Sequence, residues 1–360
     1  MREEPLYIVT DQGPATGIGT YAEALANLLR GTFPNLTLLS LCYLPGQERP
    51  MWRRLPRSRV ARQWHEIPFV MRHNYLRLRE EVPRDSPIHF CGTSYKAVRD
   101  YPRSVATVHD FYPRAPTLVN LRSPRVLLRD LSALKQFIEL PNQVRTARAR
   151  IVPTRYVQER LYRGCSLSST AIHHWIDPSR FRPRDSRKAR EALGLPLEEL
   201  LVLNVSTGSS NKNYSLLAKV AAKLKKGYRV VIAGGKYSTI PRAIQLPQLP
   251  HDLYPHLFNA CDAYLHASTQ EGFGWPLIEA IASNLPVVAL RTEVSMEVLG
   301  DAAVYIGPRE DTEHWTRGIY RLLDEPLRAE VIARGRMRSA EFALESAKQA
   351  YEKVYKLAFN

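Results

Sequence analysis

Short apolar runs alternate with longer segments of helical periodicity along almost the whole chain, and this alternation constrains the fold more than any other feature. Runs of a few apolar residues bounded by turn signals predict buried strands, and apolar residues at helical spacing predict amphipathic helices. Strands that alternate with helices are typical of βαβ units and parallel sheets. A single large sheet could hold all of these strands, but 360 residues favour two doubly wound domains.

The pattern predicts individual elements in both halves of the chain. The predicted strands are Leu6–Val9, Leu36–Leu41, Ile88–Phe90, Val105–Val108, Ile151–Val152, Leu200–Val205, Arg229–Ala233, Ala263–His266 and Pro286–Leu290. The predicted helices are Tyr21–Leu29, Ser215–Leu224, Pro276–Ala282, Thr312–Leu323 and one long amphipathic helix over Ser339–Leu357. The polar stretch Asp177–Arg190 predicts the break between the domains. We therefore expect domains over residues 1–178 and 179–338, followed by a C-terminal helix over 339–360.

The chain is strongly basic, with a formal net charge of +16. The excess is concentrated in residues 1–180, which hold 27 basic and 15 acidic side chains. Such a field favours an anionic partner: a phosphorylated substrate, an anionic membrane surface or nucleic acid. Two Arg-rich segments, Arg49–Arg84 and Arg122–Arg163, are either solvated faces or contacts with a membrane or an anionic acceptor, and nucleic acid is the weakest of these alternatives.

The cysteines and the apolar runs provide evidence on the cellular compartment of the protein. Cys42, Cys91, Cys165 and Cys261 are far apart and form no C-x-x-C pair, which argues against a zinc knuckle or a redox pair. The first apolar run is too short for a signal-peptide core, and no stretch has about 18 continuous apolar residues. We expect a cytoplasmic protein that could contact the cytoplasmic membrane surface.

The segment Ser268–Ala282 is the most informative for chemistry. A predicted strand enters it, two glycines allow close approach of a ligand to the backbone, and Pro276 suits the first position of a helix. A helix beginning at the carboxyl end of a parallel strand offers free N–H groups to an anion such as a diphosphate. Glu271 precedes that helix, and Glu279 lies one turn inside it, where a carboxylate can accept hydrogen bonds from sugar hydroxyls.

The same segment resembles the signature of retaining glycosyltransferases of family 4, which have the GT-B fold. The resemblance extends over nearly the whole chain in one order. It is carried by Gly17–Tyr21 (GIGTY), Val108–Asp110 (VHD), Ile172–Pro183 (IHHWIDPSRFRP), Leu257–Tyr264 (LFNACDAY), Glu271–Glu279 (EGFGWPLIE), Asn284–Ala289 (NLPVVA) and Glu297–Ala303 (EVLGDAA). It implies two Rossmann-like parallel-sheet domains facing across a cleft, with the C-terminal helix, including Phe342, Tyr351 and Tyr355, packing back on the first domain.

The resemblance also implies a role for each matching residue. Glu279 would bind the ribose of a nucleotide sugar, and Glu271 would bind the sugar with the backbone of Gly272, Phe273 and Gly274. Lys212 would neutralise the leaving diphosphate, and His109 would lie near the anomeric carbon. The remaining donor-binding positions are Gly17, Gly19, Thr207 and Trp275. Thr207 and Asn211 stand where many members of the family have an arginine, and Arg291 is a possible substitute.

These residues predict a metal-independent enzyme without a cofactor, because no Asp-x-Asp pair occurs in the chain. His173 and His174 lack a third ligand at metal spacing and are interpreted as linker residues. The donor would be a nucleotide sugar such as GDP-mannose or UDP-glucose, and the acceptor a glycan, lipid-linked or phosphorylated molecule. Two alternatives remain open: a nucleotide-sugar epimerase or sugar phosphorylase of the same fold, and a catalytically degenerate basic adaptor for membranes or nucleic acid.

Overall fold

The protein divides into two compact units in a computed structural model. The structure describes residues 4–13, 16–41, 52–54, 78–92, 95–111, 139–206, 210–234, 240 and 242–360. The first unit comprises Met1–His173 and Lys348–Asn360, and the second comprises His174–Ala347. The domain limits predicted from the sequence, 178/179 and 338/339, stay predictions. The cleft that the resemblance implies stays a prediction too.

The described part of the first unit contains a seven-stranded parallel sheet. Its spatial order is β3-β2-β1-β4-β5-β6-β7. The strands are β1 Tyr7–Thr10, β2 Thr37–Ser40, β3 Trp52–Arg54, β4 Ile88–Phe90, β5 Ser104–Thr107, β6 Ala149–Val152 and β7 Thr170–Ala171, all paired in parallel. Helix α1 covers Gly17–Leu29 and α2 covers Arg155–Cys165. The strand order reverses between β1 and β4, so the carboxyl ends of these strands form a topological switch point.

The second unit contains a six-stranded parallel sheet in the order β10-β9-β8-β11-β12-β13. Its strands are β8 Leu200–Val205, β9 Tyr228–Ala233, β10 Ile244–Leu246, β11 Ala263–His266, β12 Val287–Leu290 and β13 Ala303–Ile306. Its helices are α3 Ser186–Leu193, α4 Tyr214–Lys223, α5 His256–Ala260, α6 Trp275–Ala282, α7 Glu293–Leu299, α8 Thr312–Leu323 and α9 Leu327–Ala340. The switch point here lies between β8 and β11, and their carboxyl ends lead into the segments of Lys212 and Glu271.

Helix α10, Leu344–Phe359, begins in the second unit and places residues from Lys348 onward in the first. There Tyr351 and Tyr355 are fully buried, and the Arg103 guanidinium donates a 2.8 Å hydrogen bond to the carbonyl of Phe359. The last part of the predicted C-terminal helix, from Lys348 onward, therefore belongs with the first domain, whereas Phe342, which the resemblance placed there too, belongs to the second unit.

The prediction of one helix over Ser339–Leu357 is wrong. Helix α9 ends at Ala340, and Phe342 lies between α9 and α10. Phe342 packs on Phe273 in the second unit, with ring centroids 5.9 Å apart, and its carbonyl accepts a 3.0 Å hydrogen bond from the Ile176 N–H. These tertiary contacts interrupt a helical pattern that the local sequence would otherwise continue.

The polar stretch Asp177–Arg190, where the sequence predicts the break between the domains, lies wholly in the second unit, which begins at His174. Residues from Ser186 onward form α3, capped by the Asp185 carboxylate, which accepts a 2.9 Å hydrogen bond from the Lys188 N–H. Arg190 is buried there. The arginines and prolines that suggested the break therefore belong to the second unit.

Several sequence predictions concern residues that the structure does not describe. The residues outside the described ranges include most of Arg49–Arg84, residues 122–138 of Arg122–Arg163, Cys42 and Thr207. Cys91, Cys165 and Cys261 are free thiols. None of the helices in the described ranges is both long and apolar enough to cross a membrane.

Candidate functional site

Two loops meet at the switch point of the second unit. After β8 the chain forms a short 3₁₀ turn, Ser210–Lys212, and after β11 it runs through Ser268 to Gly274 before α6. The Asn211 carbonyl accepts a 2.8 Å hydrogen bond from the Thr269 N–H, and the Asn211 side-chain amide donates a 2.8 Å bond to the Gln270 carbonyl. These contacts hold Lys212 beside Glu271.

Lys212 and Glu271 form an ion pair through a hydrogen bond from Nζ to Oε1. Both side chains are largely buried, at 17% and 16% exposed. Burial raises the pKa of Glu271, but the charge of Lys212, the His266 ring and hydrogen bonds from Lys212 and Ser268 outweigh it, so that the pKa lies below its ordinary value. At neutral pH the site therefore contains a fixed positive and a fixed negative charge side by side.

Gly274 shapes the backbone that leads into α6. Its φ of 88° is in the left-handed region that favours glycine, and a Cβ there would lie 3.0 Å from Leu277 Cδ1. Helix α6 follows at Trp275 with Pro276 in its first turn, which agrees with the predicted helix Pro276–Ala282. The first turn of a helix offers N–H groups and the positive end of its dipole to an anion.

Glu279 lies one turn inside α6 and is buried. The Tyr254 hydroxyl donates a 2.8 Å hydrogen bond to Glu279 Oε2. Burial raises the pKa of Glu279 to about 7, against the smaller opposing effects of the Tyr254 hydrogen bond and the Arg180 charge. A carboxyl poised near neutrality can change its protonation state when hydroxyl donors arrive.

His266, at the end of β11, is a site residue that the sequence analysis missed. It is buried, and desolvation lowers its pKa to about 4 although the charge of Glu271 acts in the opposite direction. The ring is therefore neutral at pH 7. Its position at the carboxyl end of a central parallel strand, two residues before Ser268, was the signal that could have identified it.

An aromatic cluster packs behind the Gly272–Trp275 backbone. Trp275 stacks on His174, with ring centroids 4.9 Å apart and an interplanar angle of 21°, and Phe273 contacts the same imidazole at 4.5 Å. His174 is buried, and the division between the two units falls between His173 and His174, the residues interpreted as linker residues from the sequence. The Phe273 side chain is buried too, which leaves its main chain to serve any ligand at the loop.

The candidate residues of the first unit lie at its own switch point and at the end of β5. Gly17 and Gly19 form the first turn of α1, where the Thr16 hydroxyl caps the helix by accepting a 3.0 Å hydrogen bond from the Gly19 N–H. His109 is half-buried, and burial lowers its pKa to about 4. Its Nε2 lies 3.3 Å from the Cys91 carbonyl oxygen, which can only accept, so Nε2 carries the proton of the neutral ring.

Arg291 and Asn211 were considered in connection with the family arginine, and the structure shows what each of them contacts. The Arg291 guanidinium lies over the Tyr305 ring, 5.7 Å from its centroid. Asn211 joins the two loops of the site through the hydrogen bonds described above, and its neutral amide supplies no positive charge. Among the described residues no group of three or more His, Cys, Asp or Glu is arranged to hold a metal ion.

Comparison with known families finds a match for part of the chain. Residues 185–338 match the family described as "Glycosyl transferases group 1". The chain is 34% identical over 135 residues to the D-inositol 3-phosphate glycosyltransferases of Mycobacterium tuberculosis and Mycobacterium bovis. That alignment covers 33% of this chain and 28% of the relative, so the chain spans little more than a quarter of the length of these curated relatives.

Solved structures resemble the whole chain. Sucrose-phosphate synthase from Thermosynechococcus elongatus superposes with a TM-score of 0.78 at 17% identity, over 99% of both chains. HepE from Anabaena, solved in complex with UDP and glucose, superposes with a TM-score of 0.75 at 16% identity, over 98% of this chain and 100% of that one. The likeness confirms the predicted two-domain α/β architecture of the GT-B fold.

Proposed function

We propose that this protein is a retaining glycosyltransferase of family 4, which transfers a sugar from a nucleotide-sugar donor to a glycan, lipid-linked or phosphorylated acceptor without a metal ion. The observation that carries the proposal is the arrangement at the carboxyl ends of β8 and β11. A largely buried ion pair, Lys212 and Glu271, precedes helix α6, and a buried carboxyl group, Glu279, lies one turn inside it, all within the segment that matches the glycosyl transferases group 1 family. The UDP complex of the Anabaena structural relative supports a nucleotide-sugar donor.

The arrangement suits the departure of a diphosphate. Breaking the bond between the sugar and the phosphate develops negative charge on the leaving group and positive charge on the sugar ring. Lys212 and the N–H groups at the start of α6 would stabilise the diphosphate, and Glu271 would accept hydrogen bonds from sugar hydroxyls. Retention requires the acceptor to attack from the face that the diphosphate leaves. We assign proton removal from the acceptor to the leaving phosphate, and contact with the sugar to His109.

A donor panel tests the reaction. Wild-type protein is incubated with GDP-, UDP-, ADP- and TDP-sugars, and release of the nucleoside diphosphate is measured with and without acceptors. We expect one nucleotide to support turnover and the Glu271→Ala variant to lose most of it. Absence of turnover with every donor, in wild type and variant alike, would refute the transferase proposal. A single epimerised nucleotide sugar, or cleavage that requires inorganic phosphate, would favour the same-fold alternatives.

Donor affinity should depend on pH through Glu279. A ribose hydroxyl pair donates hydrogen bonds to the ionised carboxylate, so binding releases a proton from a group whose pKa is about 7. We expect the affinity for the nucleotide sugar to increase about tenfold from pH 6 to pH 8. Calorimetry checks this, since a nucleotide sugar, unlike a free diphosphate, does not itself ionise in this range.

The matched control for this pH dependence is Glu279→Gln, which keeps the shape of the side chain but cannot ionise. It should bind the donor more weakly and with the same affinity at both pH values. If the donor affinity of Glu279→Gln depends on pH as strongly as that of the wild type, the ribose role is contradicted.

The folding stability also depends on pH through Glu279. Because the pKa of Glu279 is raised above 4.5 in the folded protein, its contribution to stability is full below pH 4.5 and is lost as the pH rises towards 7.

The basic first half suggests that the acceptor or its membrane is anionic. Each basic side chain near an anionic surface contributes about 1 kcal/mol of attraction, and salt screens it. We expect the protein to co-sediment with phosphatidylglycerol vesicles at low salt, less at high salt, and less again when the arginines of Arg49–Arg84 are replaced by glutamine. Failure to co-sediment at low salt would remove the membrane from the proposal.

A further inference from the structure

A continuous series of buried hydrogen bonds joins the C-terminal helix to the sheet of the first unit. The Tyr351 hydroxyl lies 2.7 Å from that of Tyr21, which lies 2.9 Å from Thr107 Oγ1. Thr107 Oγ1 lies 2.7 Å from His89 Nε2, and His89 Nδ1 lies 2.5 Å from the Tyr355 hydroxyl. We call these five residues the buried relay. All of them are at most 1% exposed.

The relay begins and ends on α10. Tyr351 and Tyr355 are four residues apart and therefore lie on the same face of the helix. Between them the series passes through α1, β5 and β4, which carry Tyr21, Thr107 and His89. Burial lowers the pKa of His89 to about 3, so its ring is neutral and joins the series with one donor and one acceptor nitrogen.

The relay also contacts the candidate catalytic histidine. The Tyr21 ring meets the His109 ring edge to face, with centroids 4.6 Å apart and an interplanar angle of 84°. His109 follows Thr107 by two residues at the end of β5, and its Nε2 is tied to the Cys91 carbonyl. One nitrogen of His109 is thus fixed by Cys91, the residue that follows β4, and its ring packs against a tyrosine whose own hydroxyl is hydrogen-bonded to Tyr351 of α10.

We propose that Tyr351 of the C-terminal helix is a positioning residue that orients His109 through Tyr21. The inference rests on the proposed function for the role of His109. When the Tyr351 hydroxyl is removed, Tyr21 loses the 2.7 Å hydrogen bond that joins its hydroxyl to α10, and the ring against which His109 packs can tilt. A displacement of about 1 Å in a reacting group can cost up to about 100-fold in rate, so a small tilt is sufficient to be measured.

The direct readout is the His109 imidazole in histidine-labelled protein, followed by NMR and assigned with His109→Gln. In Tyr351→Phe we expect the ring signals of His109 to shift. The matched control is Tyr101→Phe, which also loses a buried hydroxyl of the first unit, bonded at 3.2 Å to the Leu78 carbonyl, but lies outside the relay. Unmoved His109 signals in Tyr351→Phe, or an equal shift in Tyr101→Phe, would overturn the proposal.

A second variant protects the test against a folding failure. Tyr21→Phe keeps the ring that contacts His109 and removes the hydroxyl that joins it to Thr107 and Tyr351. We expect the same signals to shift in the same direction as in Tyr351→Phe. If Tyr351→Phe does not fold, unmoved signals in a folded Tyr21→Phe overturn the proposal by themselves.

Kinetics separate positioning from general destabilisation. In Tyr351→Phe we expect kcat to decrease about tenfold while KM for the donor stays within about twofold. In a His109→Ala background the same substitution should cause no further loss, because the residue through which it acts is gone. Losses that multiply in the double variant would contradict the proposal. If the wild type turns over no donor, the proposed function fails, and the NMR comparison still decides whether Tyr351 positions His109.

Discussion

We expect the Lys212→Ala variant to transfer sugar about 100- to 1000-fold more slowly than wild type. The reason is that Lys212 is the cation that pairs with Glu271 in the loop before α6, so its removal leaves the charge on the departing diphosphate uncompensated. Single-turnover measurements with the donor identified by the panel check the rate of the chemical step.

Two variants control for this effect. Lys212→Arg keeps a positive charge and should recover part of the rate. Lys223→Ala removes an exposed lysine from the end of α4, where it pairs with Glu313 at 3.3 Å, and should leave the rate unchanged. An undiminished rate in Lys212→Ala would exclude the lysine from the mechanism, while a similar loss in Lys223→Ala would show that overall charge is what matters.

Replacing Arg190 with methionine should reduce the free energy of unfolding of the second unit by about 3–5 kcal/mol. Arg190 is buried, and its guanidinium makes a 2.8 Å ion pair with Asp262 and donates to the carbonyls of Ala260, Pro196, Leu197 and Glu199. Methionine fills much of the same space but leaves the Asp262 charge and those carbonyls without these donors. Urea unfolding followed by circular dichroism measures the loss.

The matched control is Arg187→Met on the same helix. Arg187 pairs with Glu191 one turn away and its side chain is 72% exposed, so the pair is worth at most about 1 kcal/mol. If both variants unfold at the same urea concentration, the buried network around Arg190 is not a main source of stability.

The central strands were predictable because their burial is complete or nearly so. Ile88–Phe90, Leu200–Val205 and Ala263–His266 are uniformly or almost uniformly apolar, and the structure places all three at the predicted residues. Strands β3, β7, β10 and β13 were not predicted. All four lie at the sheet edges, and Ile244–Leu246, for example, contains an exposed glutamine.

The site was predictable where it is local in sequence and not where it depends on tertiary contacts. The helix after Gly274 and the two glutamates follow from the spacing of one segment. Tyr254, which bonds to Glu279, and His174, which stacks on Trp275, come from distant segments. Nothing in their immediate neighbours distinguishes them from surface or linker residues. Arg190 was misjudged for the same reason, since its partners lie up to 72 residues away.

Backbone hydrogen exchange tests the location of the donor site most directly. A nucleotide sugar that raises the melting temperature of the protein serves as the ligand. Hydrogen exchange is then measured along the whole chain with and without this ligand. The account predicts slower exchange in peptides covering residues 268–280 and 210–214, and loss of that protection in Glu279→Ala. Protection that appears elsewhere in the chain while these two segments exchange as in the free protein would contradict it.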